Sequence, residues 1–411
     1  MNKIVEALLI IISIILSGYS IYYVAFVLFA IKKHPQHQKY EPKHRFAIVI
    51  AARNEEMVIA SLVNSLKKQN YPKELFDIYV VPNNCIDDTK EKALEAGAKI
   101  LECQYPVSSK GEVLGHSFNQ LMSIEYDYDA FCVFDADNIV DQNFLTEMNN
   151  ALCDGSRLAQ GYRETKNPYD TWITGSYNVY FTVVNRFINH AKYNANMSAY
   201  ISGTGFMVSV DVLKKSGGWR TSTLSEDTEF TLACIINGEK IDWVPEAITY
   251  DEQPLTLKQS LVQRKRWSSG AMQLLSLYYK KIFERTTSKN FIQNLDCIMS
   301  LLAIYIQILS IVQLLLTMFA TMLLPTISLM NVLTPLIISY ISTVVLAVAV
   351  LALDHKLNHH CIKGILTFWL FIMSWTPINI ISLFKKTTQW YEIKHTGNMK
   401  TDKYKVSHQD I

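Results

Sequence analysis

The sequence predicts an α/β domain with a doubly wound sheet, joined to a helical membrane region. Two patterns support this prediction. Strand-like apolar segments alternate with amphipathic helical segments after residue 45, and long uncharged runs lie near both ends of the 411-residue chain. Alternating strands and helices are typical of doubly wound parallel sheets. A run of about 20 apolar residues is long enough to cross a bilayer.

Each predicted strand is followed by polar residues. The segment RFAIVIAARNEE contains a buried strand from Phe46 to Ala51, and the segments FDIYVVPNN, AKILECQ and DAFCVFDADN contain three more. Amphipathic helices with apolar residues at helical spacing are predicted between them. Ligands of such sheets bind at the carboxyl ends of the strands. The candidates at that edge are Arg53, Asn54, Glu55, Asn83, Asn84, Asp135 and Asp137.

Three uncharged runs predict the membrane helices, at residues 7–31, 297–353 and 364–384. The first and third each fit one helix, whereas the middle run is long enough for two. The third run contains Trp375-Thr376-Pro377, which favours a broken, re-entrant or interfacial helix. The residues expected to break the middle run are Pro325, Asn331 and Pro335.

Charge predicts the orientation in the membrane. The first run is longer than the apolar core of a signal peptide and lacks a small-residue cleavage site, so we expect a retained anchor. The basic segment IKKHPQHQKYEPKHR follows it, so the positive-inside rule places the N-terminus outside and the soluble domain in the cytoplasm. We therefore expect a multi-pass protein of the plasma membrane. Four simple crossings would leave the Lys-rich tail outside, against that rule.

Composition excludes other classes of protein. A formal net charge of only +2 argues against a nucleic-acid binder, for which a basic domain is the expected footprint. Seven cysteines without a CxxC pair fit a reduced compartment better than a disulfide framework.

Two acidic motifs are candidates for chemistry. Asp135-Ala136-Asp137 ends an apolar strand, and two carboxylates with substrate phosphates are a typical site for Mg²⁺ or Mn²⁺. A solvated turn is the alternative. Glu226 and Asp227 in TLSEDTEF begin a predicted helix, where Ser225 or Asp227 is expected to act as the N-cap. A carboxylate at a helix start is also held rigidly enough to serve as a general base.

Three further segments carry candidate residues. Lys110 in SSKGEVLGH begins a predicted helix and is either a solvated lysine or a phosphate or sugar contact. The small-residue segment SGTGFMVS, residues 202–209, is either an ordinary turn or a place where backbone approaches a ligand. The segment LVQRKRW, residues 261–267, combines three cations and a tryptophan at the edge of the apolar region.

Taken together, these motifs resemble those of processive family 2 glycosyltransferases. The order AARNEE, VVPNNCIDDT, DAD, GTGF, SED and QRKRW is similar to that of membrane synthases for cellulose, hyaluronan, poly-N-acetylglucosamine and mixed-linkage glucan. The resemblance covers roughly residues 40–290, and its most specific element is QxxRW, here Gln263, Arg266 and Trp267.

The resemblance implies a GT-A-type doubly wound mixed sheet with interfacial helices and a helical transmembrane region. The implied divisions are an N-terminal transmembrane helix (1–33), a cytosolic GT-A domain (34–254), interfacial amphipathic helices with QxxRW (255–290), a C-terminal transmembrane region (291–385) and a polar basic tail (386–411).

The resemblance also implies a role for each candidate. Asp227 is the catalytic base, next to Glu226, and Asp135 and Asp137 hold the metal. Asn83 stands where an aspartate is commoner, and Ser225 replaces a threonine. The donor nucleotide is expected to contact Ala51, Arg53, Glu55, Asn83, Lys110, Asp135, Gln263 and Arg266. The acceptor is expected to contact Gly203, Thr204, Gly205 and Trp267.

The implied reaction is an inverting transfer. Asp227 takes the proton of the acceptor hydroxyl, and Arg266, whose planar fork suits phosphate, faces the leaving diphosphate. An α-linked donor then gives a β-linked product. Trp267 is expected to stack on the terminal sugar of the acceptor at the mouth of a membrane tunnel. Arg264 and Lys265 are interpreted as cations at the lipid surface.

Two other functions fit the sequence. One is a non-processive enzyme that glycosylates a membrane lipid, and the other is a transport or sensor protein that merely binds a nucleotide. GTGF and SED do not distinguish glucose from N-acetylglucosamine, and UDP-glucose with a β-glucan product is our first expectation. The expected partners are a UDP-sugar, a growing polysaccharide, Mg²⁺ or Mn²⁺ and the lipid bilayer, without nucleic acid. A homo-oligomer is compatible with the sequence.

Overall fold

A computed structural model of the chain describes residues 2–124, 127–323 and 329–385. Its centre is an eight-stranded sheet, in which each long strand is rich in apolar and β-branched residues. The strands are β1 (Phe46–Ala52), β2 (Phe76–Pro82), β3 (Lys99–Ile100), β4 (Ala130–Asp135), β5 (Ile139–Val140), β6 (Leu158–Thr165), β7 (Phe206–Ser209) and β8 (Asp242–Asp251).

The sheet is mixed, with the order β3-β2-β1-β4-β7-β6-β8-β5. Strands β3, β2, β1 and β4 are parallel, as the alternation of strands and helices predicts. Strand β7 runs antiparallel to both of its neighbours, β4 and β6. The parallel arrangement that the alternation predicts is therefore interrupted at β7 and at β5, whereas β6 and β8 are parallel to each other. The mixed GT-A-type sheet that the family resemblance implies is confirmed.

Helices cover both faces of the sheet and bury a separate apolar core on each. One core packs the helix after β1 against the sheet, and the other includes Trp219 and Trp243. The helices of this domain are α3 (Ile59–Leu66), α4 (Thr89–Glu95), α5 (Lys110–Met122), α6 (Phe144–Cys153), α7 (Trp172–Val183), α8 (Ala191–Asn194), α9 (Val210–Ser216) and α10 (Glu226–Ile236). Single turns of 3₁₀-helix at Lys73–Leu75 and of π-helix at Val184–His190 complete it.

Among the described residues, four helical segments are long and apolar enough to cross a membrane, at 3–31, 291–321, 330–353 and 359–384. Asn331 and Pro335, expected from the sequence to break the middle run, lie inside the third of these segments, and Pro325 lies outside the described residues. The fourth is broken at Ser374, as predicted. The helices outside the sheet domain are α1 (Asn2–Val24), α2 (Val27–Ile31), α11 (Leu257–Glu284), α12 (Phe291–Leu323), α13 (Met330–Leu353), a 3₁₀ turn (His359–Cys361), α14 (Ile362–Met373) and α15 (Trp375–Phe384). Of these, α11 is not among the four apolar segments.

Helix α11 connects the sheet domain to the membrane helices. A capping box at its start, in which Thr256 and Gln259 satisfy each other's backbone N–H groups, begins the helix close to the predicted residue. Leu274 of this helix is buried, whereas Leu257 at its start is exposed.

The interpretation of Arg264 as a cation at the lipid surface is wrong. Its side chain is 0% exposed, because this face of α11 packs on the junction of α14 and α15 rather than on lipid. Its Nη1 donates to the carbonyl oxygen of Phe371 at 3.0 Å and to the Ser374 hydroxyl at 2.9 Å.

A buried ion pair also joins the membrane helices to the domain. The Lys192 ammonium lies 2.8 Å from the Asp296 carboxylate of α12, and both residues are buried. The hydroxyls of Tyr22 and Tyr200 donate to the same carboxylate at 2.6 and 3.1 Å. These bonds satisfy a charge that is costly at the edge of a bilayer, and they hold α1, α12 and the domain together.

We expect Gly270→Ala to destabilise the protein. A Cβ at this position in α11 would lie 2.8 Å from the backbone nitrogen of Ser225, immediately before α10. Overpacking of this kind costs about 1–3 kcal/mol, more than the gain of about 0.5–1 kcal/mol when Ala replaces Gly in a helix. The apparent unfolding temperature in detergent should therefore fall.

Gly18→Ala is the matched control, because a Cβ at this position in α1 meets nothing within 4 Å. It should leave the unfolding temperature unchanged or raise it. Equal behaviour of the two variants would contradict the close packing of α11 on α10.

Candidate active site

One large cavity, of about 1440 Å³, lies between the carboxyl ends of the strands and the helices α1, α11, α12 and α15. It brings together residues that are far apart in the sequence, including both acidic motifs and the QxxRW motif. The predicted site residues that line it are Ala51, Arg53, Glu55, Asn83, Lys110, Asp135, Asp137, Gly203, Glu226, Asp227, Gln263, Arg266 and Trp267.

The Lys110 ammonium is the centre of this arrangement. Lys110 is the first residue of α5, where Ser109 caps the helix by accepting from the N–H of Glu112. Its Nζ donates to Asp135 Oδ1 and, at 2.7 Å, to the carbonyl oxygen of Gly203. The Glu226 carboxylate lies 3.9 Å from the same nitrogen. Lys110 thus connects the DxD motif, the small-residue turn and the SED motif.

Two asparagines in the left-handed region turn the chain away from the sheet at this edge. Asn54 has a φ of 57° after β1, and Asn84 has a φ of 53° after β2. Asparagine tolerates this conformation better than most residues. The two loops are bonded to each other, since the Ile86 N–H donates to Asn54 Oδ1 at 3.0 Å. Arg53, Glu55 and Asn83 are thereby held beside the cavity.

Contrary to the prediction, Thr204 and Gly205 do not line the cavity. Thr204 is buried behind β4, where its hydroxyl accepts from the Asp135 N–H at 3.1 Å and donates to Asn138 Oδ1. Gly205 donates to the carbonyl oxygen of Val133 at 2.8 Å, at the start of β7. Both residues therefore support the DxD motif from behind, because β7 lies next to β4 in the sheet.

Gly203 is the member of this turn that reaches the cavity. Its φ is +82°, and a Cβ there would lie 3.1 Å from Asp227 Oδ2. Any side chain would therefore be strained and would crowd the carboxylate. The absence of a side chain lets the turn lie directly against the expected base.

The SED carboxylates have altered acidity. Burial raises the pKa of Glu226 to about 7, against the opposing effect of Lys110. Burial likewise raises the pKa of Asp227, which makes its carboxylate a stronger base than an exposed aspartate. Ser225 precedes α10 as its N-cap residue without a capping bond from its side chain, whereas Asp227 Oδ1 accepts from the Thr228 N–H at 2.7 Å.

The DxD carboxylates are suited to a divalent cation. Burial opposes ionisation of Asp135, but the charge and hydrogen bond of Lys110, together with the charges of Arg163 and Arg266, outweigh it and lower the pKa of this carboxyl. The Asp135 side chain is still 36% exposed toward the cavity. Among the described residues, no group of three or more histidines, cysteines or carboxylates could form a complete metal site. Two carboxylates that leave positions for phosphate oxygens are the usual arrangement for Mg²⁺ and Mn²⁺, so the site fits such an ion.

The QxxRW residues form the opposite wall. Gln263 accepts a hydrogen bond from the buried Tyr177 hydroxyl at 2.9 Å. The positive charge of Arg266 lowers the pKa of Asp135 and opposes the increase in pKa at both SED carboxylates, so its guanidinium lies within electrostatic range of all three acids. The Trp267 ring lies edge-on to the rings of Tyr177 and Phe181.

Sequence reasoning missed the pair Arg163 and Asp251. Arg163 in β6 donates to Asp251 Oδ2 through Nε at 2.9 Å and Nη2 at 2.6 Å. It also donates to the Ser202 carbonyl oxygen and lies 4.1 Å from the centre of the Phe181 ring. Both members of the pair line the cavity. The signal that located Asp135, an acid at the end of a strand, is present for Asp251, the last residue of β8, but not for Arg163, which lies inside β6.

The cavity continues between the membrane helices, where its wall contains many polar groups. At 1.5 Å per residue, the lining residues of α12 from Ser300 to Ser310 extend about 15 Å along the helix. Asn379 of α15 donates to Gln307 Oε1 at 2.6 Å within this wall. The polar lining residues of the membrane helices are Tyr19, Ser20, Tyr23, Ser300, Gln307, Ser310 and Asn379.

Comparison with known proteins identifies the family. The profile described as "Glycosyl transferase family group 2" matches residues 130–383. The probable glycosyltransferase YdaM of Bacillus subtilis is 27% identical over 263 residues, which are 62% of this chain and 61% of that protein. The beta-monoglucosyldiacylglycerol synthase of Trichormus variabilis is 22% identical over 291 residues, which are 68% of this chain and 60% of that protein. The matched region thus spans about three fifths of each relative.

A solved structure has a similar fold. The mannosyltransferase PcManGT from Pyrobaculum calidifontis, in complex with GDP-Man and Mn²⁺, superposes with a TM-score of 0.63 at 16% identity, covering 92% of this chain and 96% of that one. The family profile covers more than half of the chain and includes the DxD, SED and QxxRW motifs. This chain therefore belongs to glycosyl transferase family group 2.

Proposed function

We propose that the protein is an inverting, processive hexosyltransferase that adds sugar from a UDP-sugar to a growing β-linked polysaccharide and secretes the product across the membrane. The main support is the polar wall of the cavity between α1, α12 and α15. Hydroxyl and amide groups are costly among lipid-embedded helices unless they meet polar partners. A wall of such groups suits a carbohydrate better than acyl chains. UDP-glucose remains the preferred donor.

The proposed donor site is the edge of β1, β2 and β4. The nucleoside lies beside Ala51, Arg53, Glu55 and Asn83, and the diphosphate lies near Arg266. Asp135 and Asp137 would hold the cation, which when bound supplies charge neutralisation for the leaving diphosphate. The Mn²⁺ in the complex of the mannosyltransferase with the same fold is compatible with this assignment.

The proposed transfer is a direct displacement. Asp227 accepts the proton of the acceptor hydroxyl, whose oxygen attacks the anomeric carbon from the face opposite the diphosphate. The bond between that carbon and the phosphate oxygen breaks, and UDP leaves with its electron pair. Lys110 and Arg266 stabilise the negative charge that develops. Gly203 keeps the acceptor close to Asp227, and Trp267 stacks on its terminal sugar.

A membrane lipid is the alternative acceptor, and the closed end of the cavity favours it. Its lining stops at Leu16 in α1 and Ser310 in α12, and one turn further the Gln313 amide donates to the Ser13 hydroxyl at 2.7 Å. A cavity that ends within the membrane helices suits a lipid headgroup. The name of the synthase from Trichormus variabilis points to the same acceptor class. The transport or sensor alternative is set aside because the chain belongs to a glycosyltransferase family.

The proposed location is the plasma membrane, with the sheet domain in the cytoplasm. The four apolar helical segments and the basic residues that follow the first support a multi-pass arrangement. The basic tail, residues 386–411, lies outside the described residues.

The first prediction from this proposal concerns the metal. EDTA should abolish UDP release, and Mn²⁺ or Mg²⁺ should restore it. Because the Thr204 hydroxyl accepts from the backbone N–H of Asp135 and donates to the Asn138 side-chain oxygen, Thr204→Val should raise the Mn²⁺ concentration for half-maximal activity about 10–100-fold. Thr204→Ser keeps the hydroxyl and should behave like the wild type. Full activity in EDTA would disprove the metal assignment, and equal Mn²⁺ curves for both variants would disprove the role of Thr204.

The second concerns the base. Asp227→Asn keeps the shape of the side chain but cannot accept a proton, so the transfer rate should fall about 10²–10⁴-fold. UDP binding, measured by calorimetry, should persist. If UDP affinity collapses while the rate at saturation does not, Asp227 is a binding residue and the displacement mechanism is wrong.

The third separates the two acceptors. Purified protein should release UDP from UDP-glucose, and linkage analysis should find a β-linked polymer. Arg266→Ala should damage every transfer, because Arg266 faces the diphosphate. Trp267→Ala should lower transfer more than donor hydrolysis and shorten the product. A single sugar on extracted lipid, with unchanged product for Trp267→Ala, would establish the lipid acceptor instead.

A further inference from the structure

A buried arginine holds the break in the fourth membrane segment. Helix α14 ends at Met373 and α15 begins at Trp375, and the carbonyl oxygens of Leu370 and Phe371 accept from the N–H and the hydroxyl of Ser374 at the break. The Arg264 guanidinium donates to one of them, Phe371 O, and to the Ser374 hydroxyl at the break. It also lies 4.3 Å from the centre of the Phe371 ring. A cation at the C-terminus of a helix is favoured by the helix dipole.

The break determines where the Trp375 side chain lies. Trp375 is the first residue of α15 and directly follows Ser374, which Arg264 contacts. The guanidinium is also 5.3 Å from the centre of the Trp375 ring, within the range of a cation–π contact. Arg264 therefore constrains both the backbone before Trp375 and the ring itself.

Trp375 and Trp267 form a continuous aromatic wall. Their ring centres are 6.2 Å apart with an angle of 25° between the planes, and Tyr180 lies 6.2 Å from Trp375 on the same wall. All three line the cavity. Asn379, one helical turn after Trp375, also lines it and accepts from the Ser268 hydroxyl of α11. Helix α15 thus presents an aromatic face and an amide side by side.

We propose that Trp375 is a second acceptor-contacting residue beyond Trp267, and that Arg264 is the positioning residue that places it. This proposal rests on the proposed function, because it requires a hydroxylated acceptor in the membrane part of the cavity. The stacked pair of tryptophans extends the platform for the acceptor by one ring. The sugar that contacts Trp375 is one sugar unit further from the reacting hydroxyl than the sugar that contacts Trp267.

Full-length protein in nanodiscs with UDP-glucose, with and without cellotetraose, tests this assignment. UDP release without acceptor measures hydrolysis, and the increase with cellotetraose measures transfer. Trp375→Ala and Arg264→Met should each raise the cellotetraose concentration for half-maximal transfer about tenfold and shorten the product. The ratio of transfer to hydrolysis should fall in both variants. Arg264→Lys should restore part of the ratio, since an ammonium can still reach the carbonyl oxygen.

Two control variants distinguish a loss of Trp375 placement from general damage to the protein. Trp369→Ala removes a tryptophan of α14 that bonds Ser339 and does not line the cavity. Lys265→Ala removes the neighbouring cation of α11. Neither should change the acceptor dependence.

Three results would overturn the assignment. Equal loss of hydrolysis and transfer in Arg264→Met, without rescue by lysine, would make Arg264 a purely structural residue. Unchanged acceptor dependence in Trp375→Ala would remove its acceptor contact. Wild-type protein that transfers sugar from neither UDP-glucose nor UDP-N-acetylglucosamine would overturn the proposed function and, with it, this inference. This failure would be seen in the wild-type protein, so it can be distinguished from a failure of the Arg264 and Trp375 assignments, which is seen only in the variants.

Discussion

The position of the Lys110 ammonium is the constraint on which the rest of the site depends. It bonds Asp135 and the Gly203 carbonyl oxygen and lies 3.9 Å from Glu226. Four carboxylates, those of Asp135, Asp137, Glu226 and Asp227, line one cavity with it, and so many acids close together would repel one another without cations. The ammonium lowers the pKa of Asp135, whereas burial dominates at Asp227 and raises its pKa. One carboxylate thus stays ionised for a metal, and another becomes a stronger base.

Helix α11 transmits this arrangement to the membrane region. Gly270 packs against Ser225 at the start of the helix that carries Glu226 and Asp227. Two turns earlier, Arg264 holds the junction of α14 and α15. Between these points the same helix places Arg266 and Trp267 on the cavity. The proposed donor site and the proposed acceptor path therefore both include residues of the single helix α11. This explains why residues with such different proposed roles are only a few positions apart.

The sequence located the edge of the sheet that forms the site, because polar residues after apolar strands are a local signal. It failed where a partner is distant. Arg264 looks like a surface cation on α11, and only the fold brings Phe371 O, 107 residues later, to its guanidinium. Thr204 looks like part of a ligand-binding turn, but β7 lies antiparallel to β4, which turns its hydroxyl toward Asp135. The alternation of strands and helices could not reveal that antiparallel strand. The position of Arg163 beside Asp251 likewise depends on the pairing of β6 with β8.

The part of the cavity between the membrane helices suits both proposed acceptors, a growing polysaccharide and a membrane lipid. Its polar groups gain partners from one another, as Asn379 does from Gln307 and Ser268, and so they are stable beside apolar helix faces. Any acceptor that enters must replace these bonds, which a hydroxyl-rich sugar or headgroup can do and an acyl chain cannot. The bond between Gln313 and Ser13 lies beyond the last lining residues, at the middle of α1 and in the last third of α12. A polymer that crosses the membrane has to separate these helices, whereas a glycosylated lipid leaves sideways and does not. The proposed chemistry at Asp227 is the same in both cases, so we expect the membrane helices rather than the sheet domain to decide between the two acceptors.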